Sequence, residues 1–213
     1  MKNLTELVFI LDRSGSMCGL EEDTIGGFNS LIKKQRKQEG ECIVTTVLFD
    51  DEIDTVHNRV PLKRIKAMTK EEYFVRGCTA LLDAVGETIT KIDALRGDAL
   101  RDQVPHKTMF VIITDGMENS SNKYTSAEVK RMIERQKEKY GWDFLFLGAN
   151  IDAVETARAY GISENMASNY CADSQGTRKN FDAISEAVCS IRMDKKISAE
   201  WKKDIEDYFE SKM

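Results

Sequence analysis

The chain has 213 residues, 41% hydrophobic and 31% charged, which suits one α/β domain or at most two small ones. Its 31 Lys and Arg against 36 Asp and Glu give a net charge of −5, which argues against a binder of the nucleic-acid backbone. Only 2 Pro and 13 Gly exclude a fibrous or Pro-rich disordered chain, the apolar runs are too short to span a membrane, and five Cys without framework spacing read as free thiols in a reducing compartment.

Met1-Lys2-Asn3 leads straight into a strand, with no apolar leader or small-residue cleavage site, so the expected location is the cytoplasm. Residues 6–11 form a continuous apolar run ending at Asp12, the pattern of a buried strand. Ile25, Phe28, Leu31 and Ile32 recur at helical spacing up to a stop at Gly40. Residues 42–49 are β-branched and apolar; Asp50-Asp51-Glu52 is a polar turn, and residues 53–60 return as a hairpin strand. A helix over 81–95 carries Leu82, Val85, Ile89 and Ile92 on one face. Residues 108–114 are an apolar strand ending at Asp115, and Thr125 or Ser126 caps a helix through Lys139. A strand over 142–147, a helix over 153–160 stopped by Gly161, a short edge strand over 165–170 and a helix over 178–192 follow. The tail, 198–209, places Trp201, Ile205, Tyr208 and Phe209 on one amphipathic face.

No Pro, Gly or Ser cluster marks a linker, and no repeat is visible. Strands and helices alternate apart from the hairpin, and the apolar runs imply strands covered on both faces. The expected fold is therefore α/β: a doubly wound, mostly parallel six-stranded sheet with one antiparallel edge hairpin strand and helices on both faces. Such sheets bind ligands beyond the carboxyl ends of their strands, where the strand order reverses.

The residues at those ends are informative. The first strand runs into Asp12-Arg13-Ser14-Gly15-Ser16-Met17, in which two hydroxyls follow an aspartate at alternate positions and Gly15 allows a tight turn. Thr79 sits just before the helix at Leu81, and Thr114-Asp115-Gly116 ends another strand. Two carboxylates and three hydroxyls thus fall on three loops. These are hard oxygen ligands suited to Mg²⁺, without the His and Cys that would suggest zinc.

Asp12-x-Ser14-x-Ser16, then Thr79, then Asp115-Gly116 resembles the von Willebrand factor A domain with its metal-ion-dependent adhesion site, over roughly residues 4–192. The resemblance implies that Ser14, Ser16 and often Thr79 touch the metal directly. It implies that Asp12 and Asp115 act directly or through coordinated waters, and that a partner protein's Glu or Asp supplies the last ligand. Mg²⁺ is the expected ion, with Mn²⁺ or Ca²⁺ as substitutes. The expected division is residues 1–192 for this domain and 193–213 for a C-terminal amphipathic helix packed on it. The wording Asp-x-Ser-Gly-Ser-Met, the unpaired Cys and the missing leader resemble free-standing intracellular members of bacterial or phage type. Only two formal charges among the ligands leave the ion electrophilic, so an outside carboxylate gains a charge-assisted contact.

Metal-dependent, non-enzymatic protein binding is thus the expectation, with no nucleic acid and no membrane as partner. A Mg²⁺-dependent phosphate-ester hydrolase competes with it, but two-metal chemistry needs more converging carboxylates, and there is no phosphate loop. A scaffold subunit of an intracellular enzyme or chaperone complex differs only in its partner. Blander readings exist for every residue: Asp12 as a cap or turn, and Asp115-Gly116 as a plain turn. Cys18 and Cys78 read as small packed side chains rather than a redox pair, and His57 and His106 as solvent-facing. Gly26-Gly27 reads as either a close helix–sheet approach or a helix interruption. The run over 33–37 reads as a solvated helix end, and the aromatic tail as packing rather than docking.

Overall fold

The computed structural model describes residues 4–100 and 103–213. The expected entry of Met1-Lys2-Asn3 into the first strand lies outside these residues. The strands are β1 (Leu4–Asp12), β2 (Glu41–Phe49), β3 (Ile53–Pro61), β4 (Lys107–Thr114), β5 (Asp143–Gly148) and β6 (Ala167–Asn169). The helices are α1 (Glu21–Gln35), α2 (Leu81–Asp98), α3 (Ser126–Tyr140), α4 (Ala153–Ala159), α5 (Ser174–Arg192) and α6 (Lys203–Glu210). The sheet order is β3-β2-β1-β4-β5-β6, parallel throughout except for β2 with β3. This is the doubly wound α/β sheet with one antiparallel edge strand that the alternation predicts. The chain grows outward from β1 to β3, then returns to place β4 on the other side of β1. That reversal sets a crevice at the carboxyl ends of β1 and β4.

Alternate side chains of the buried central strands feed two cores. Leu7, Phe9 and Leu11 pack with Phe28 and Leu31 of α1 and Ile184 and Val188 of α5. Val8 and Ile10 pack on the opposite face with Val85 and Ile89 of α2 and Val129 and Ile133 of α3. Burial on both faces explains why β1 and β4 read as unbroken apolar runs. Local chemistry sets several helix ends. Thr125 and Glu128 form a reciprocal capping box at α3, whose C-terminus stops at Gly141 in the left-handed conformation, φ 64°. Asp152 and Asp173 cap α4 and α5.

Several expectations change. His57 is not solvent-facing: it is buried on β3 and stacks on Phe28 with centroids 6.2 Å apart, and burial lowers its pKa. Gly27 serves a helix–helix contact rather than a helix–sheet one, because a Cβ there would lie 2.2 Å from the Phe181 ring of α5; Gly26 faces open space. The run over 33–37 is more than a solvated end. Gln35 is fully buried and donates to the Ser185 carbonyl at 2.9 Å, and Arg36 donates to the Leu62 and Ile65 carbonyls. The edge strand shortens to β6 because a 3₁₀ turn, Glu164–Met166, takes up its beginning.

In the tail, a 3₁₀ turn (Ala199–Lys202) precedes α6. Trp201 and Ile205 join the core on the α1/α5 face, and the Trp201 indole donates to the Asn165 carbonyl at 2.8 Å. The Tyr208 hydroxyl donates to Asp173, the cap of α5, at 2.9 Å. Among the described residues no helix is long and apolar enough to cross a membrane.

Candidate metal centre

Three loops meet over the crevice between β1 and β4. Parallel pairing of β1 with β4 brings Asp12 and Asp115, each at a strand end, to the same edge of the sheet. Backbone bonds fix the loops on one another. Gly15 N–H donates to the Gly77 carbonyl at 3.1 Å, Arg76 N–H to the Arg13 carbonyl at 3.0 Å, and Asn119 N–H to the Thr79 carbonyl at 3.1 Å. Gly77 is at φ 66°, where only glycine is unstrained, and a Cβ there would collide with Asp51.

Asp12 is buried, and both its oxygens are used. One accepts the Ser14 N–H at 2.7 Å and the other the Thr114 hydroxyl at 2.6 Å. Burial raises its pKa, and these hydrogen bonds offset only part of that. The Ser14 and Ser16 hydroxyls lie 3.1 Å apart, and Ser16 donates to Asp115 Oδ1 at 2.5 Å. Thr79 is buried beside them: a Cβ placed on Gly116 would stand 3.0 Å from Ser16 Oγ and 3.4 Å from Thr79 Oγ1. Gly116 therefore leaves open a space that any other residue would fill.

Asp115 is the exceptional group. It is 1% exposed, and its buried Oδ2 has no hydrogen-bond partner among the described residues. Burial lifts its pKa to about 6; the Ser16 bond opposes the rise and the Asp12 charge reinforces it. An unpaired buried carboxylate oxygen is costly. Here it borders hydroxyl oxygens with spare lone pairs and a cradle kept clear by Gly116. That donor set fits a hard divalent cation. Among the described residues no three His, Cys, Asp or Glu converge as a metal cage, so the centre is rich in hydroxyls and carries two carboxylates. Asp12, at the end of β1, and Ser14, Ser16, Thr79 and Asp115, on the loops, thus all lie at the crevice, with Ser14, Ser16 and Asp115 in one hydrogen-bonded chain.

The supporting residues are less evident from the sequence. Arg13, between the ligand-type residues, is 1% exposed; its Nε donates to Asp50 at 2.6 Å and its terminal nitrogen to Asp54 at 2.5 Å. Arg76 donates to the same Asp50 carboxylate at 2.8 Å. Burial pushes Asp50 up, but bonds from Arg76, the Glu52 N–H and Arg13 hold its pKa below the usual range. Fully buried Tyr73 donates to the Asp12 carbonyl at 2.6 Å. Asn150 donates to the Asp115 carbonyl at 3.2 Å. The loop after β4 caps α2 across the fold. Glu118 accepts the Leu82 N–H, Ser121 accepts the Asp83 N–H, and Asp83 accepts three N–H groups from residues 122–124. Cys18 and Cys78 are not packed inside; both are exposed, and all five cysteines are free.

No family model and no curated protein matches the chain. Solved structures do. A von Willebrand factor type A protein from Catenulispora acidiphila is 14% identical with a TM-score of 0.57, over 89% of this chain and 43% of that one. Proximal thread matrix protein 1 from the mussel byssus, solved with a zinc-occupied MIDAS motif, is 12% identical with a TM-score of 0.60, over 88% and 46%. The manganese-loaded TRAP protein of Plasmodium vivax is 14% identical with a TM-score of 0.54, over 84% and 73%. The chain spans less than half of the first two and most of the third. At these identities the likeness establishes architecture: the chain has the α/β fold of a von Willebrand factor type A domain.

Proposed function

We propose that the chain is a divalent-cation-dependent protein-binding module. The observation that carries this reading is the buried, unpartnered Asp115 Oδ2 beside the Ser14–Ser16 hydroxyl pair at the sheet's switch point. The zinc- and manganese-bearing structures with the same fold support it. Ser14, Ser16 and Thr79 would hold the cation through their hydroxyls, and Asp115 through its carboxylate. Asp12, whose oxygens each already accept a bond, would orient the Ser14 loop and accept from coordinated water. When bound, the cation supplies a strong electrophilic contact for an incoming carboxylate. Mg²⁺ is our choice because hydroxyl, carboxylate and water oxygens suit a small hard ion. The partner is a protein that presents a Glu or Asp.

We read the module as non-catalytic, since the centre lacks the converging carboxylates that phosphoryl chemistry uses. We place the chain in a reducing, cytoplasmic setting, as an intracellular member of bacterial or phage type; its five free thiols support the setting. Calorimetric titration with MgCl₂, followed by a glutamate-bearing peptide in Mg²⁺ or EDTA, tests the reading. Both bindings should disappear in the Asp12→Ala/Ser14→Ala variant, and their survival there would defeat it. Mg²⁺-dependent turnover of a phosphodiester that Asp115→Asn abolishes would replace it with the hydrolase.

A further inference from the structure

Thr79 stands on the segment that leads into α2, whereas the other four expected residues follow or end β1 and β4. Three successive backbone N–H groups around it each have an acceptor on another segment. Cys78 N–H donates to Asp51 Oδ1 at 3.3 Å, Thr79 N–H to Asn119 Oδ1 at 2.9 Å, and Ala80 N–H to the Asp50 carbonyl at 2.8 Å. Asn119 also holds Thr79 from the other side, because its own N–H donates to the Thr79 carbonyl at 3.1 Å. Asp50 and Asp51 belong to the turn between β2 and β3, and Asn119 to the loop that follows Asp115-Gly116.

Starting α2 does not explain these bonds. The helix begins at Leu81, and the N–H groups of its first turn at Leu82 and Asp83 go to Glu118 and Ser121 instead. The turn is itself braced against the first metal loop. Asp50 Oδ2 accepts from both Arg13 and Arg76, and the Arg13 N–H donates to the Phe49 carbonyl at 2.8 Å. Thr79 is therefore referenced to the Ser14 loop through the turn, and to the Asp115 loop through Asn119. Its hydroxyl borders the same space as Ser16, since a Cβ on Gly116 would meet both.

Resting on the metal-dependent reading above, we propose that Asp51 and Asn119 are positioning residues. They fix the Thr79 hydroxyl against the Ser14–Ser16 pair and thereby make the centre select Mg²⁺ over Ca²⁺. Mg²⁺ demands near-ideal octahedral geometry at about 2.0–2.1 Å, whereas Ca²⁺ accepts irregular shells at about 2.3–2.6 Å. A hydroxyl whose backbone is held in advance loses little freedom on binding and cannot retreat for the larger ion. A loop that yields would accept both ions. Residues that act behind metal ligands commonly alter affinity by about 10–100-fold.

Asp51 and Asn119 are both exposed, so replacing either leaves the core closed. Calorimetric titration of the full chain with MgCl₂, and with CaCl₂ by competition where binding is weak, tests the proposal. Wild type should bind Mg²⁺ more tightly than Ca²⁺. Asn119→Ala, which changes no charge, should weaken Mg²⁺ about tenfold and Ca²⁺ by less than about threefold. Asp51→Ala should act in the same direction. Asp51→Asn keeps an acceptor oxygen for the Cys78 N–H and should restore the wild-type ratio of the two constants. A loss of structure alone would weaken both ions alike, so the ratio isolates positioning. In a Thr79→Ala background, Asn119→Ala should change neither ion further, because it acts through the Thr79 hydroxyl. Equal affinities for the two ions in wild type, equal losses in the variants, no loss, or a loss that adds in full to that of Thr79→Ala overturns the positioning while the metal reading stands. Wild type that binds none of Mg²⁺, Mn²⁺ and Ca²⁺ overturns both.

Discussion

Burial and the Asp12 charge raise the Asp115 carboxyl to about 6, and one of its oxygens has no partner. A raised acid pKa means that the folded protein holds the proton more tightly than the unfolded chain. Without metal, this group's contribution to stability should therefore fall as pH rises from 3.8 through about 6. Cation affinity should rise over the same range, because the ion competes with the proton; calorimetry with MgCl₂ at pH 5 and pH 7 checks it. At Arg13 the expected effect is purely structural. Arg13→Met removes one of the two guanidiniums on buried Asp50 and should cost about 3 kcal/mol in urea unfolding. The gathering of Asp12, Ser14, Ser16, Thr79 and Asp115 near one crevice was legible because hydroxyl and carboxylate side chains at strand ends leave a short local signature. The burial of Arg13 was not, since its acceptors Asp50 and Asp54 lie 37 and 41 residues away in sequence.

Adjacent glycines in α1 should behave oppositely. Gly26 faces open space, so Gly26→Ala should stabilise by about 0.5–1 kcal/mol through the unfolded state and helix propensity. At Gly27 the added methyl meets Phe181 of α5, and Gly27→Ala should destabilise by about 1–3 kcal/mol; thermal unfolding of both variants checks the pair. The helices and strands themselves were readable from apolar period and from Thr125, Asp50-Asp51-Glu52 and Gly161. What covers each one was not. His57 sits in a β-branched, polar stretch that reads as exposed, yet the antiparallel pairing of β3 with β2 carries it under α1 against Phe28. Likewise, α2 takes its N-terminal partners from Glu118 and Ser121, a cross-chain cap that no local pattern announces.

Across the whole molecule, the strand order places the candidate centre. The chain leaves β1, builds one half of the sheet, and returns to lay β4 against β1, so two strand-end acids distant in sequence share one crevice. The α/β alternation made this architecture legible, whereas the place of the tail rests on tertiary contacts. Trp201 is buried against the α1/α5 face and bonded to the Asn165 carbonyl, so Trp201→Ala should cost about 3–5 kcal/mol in urea unfolding. The central claim is that the unpaired Asp115 oxygen is a cation ligand. Melting of wild type and Asp115→Asn, each with and without MgCl₂, tests it most directly. Wild type at 100-fold excess over Kd should gain about 2.7 kcal/mol, or roughly 5–10 °C in Tm. Asp115→Asn should melt higher than wild type without metal at pH 7, having lost a buried charge, and should not respond to MgCl₂. Equal responses in the two proteins, or none in wild type with either MgCl₂ or MnCl₂, would contradict the account.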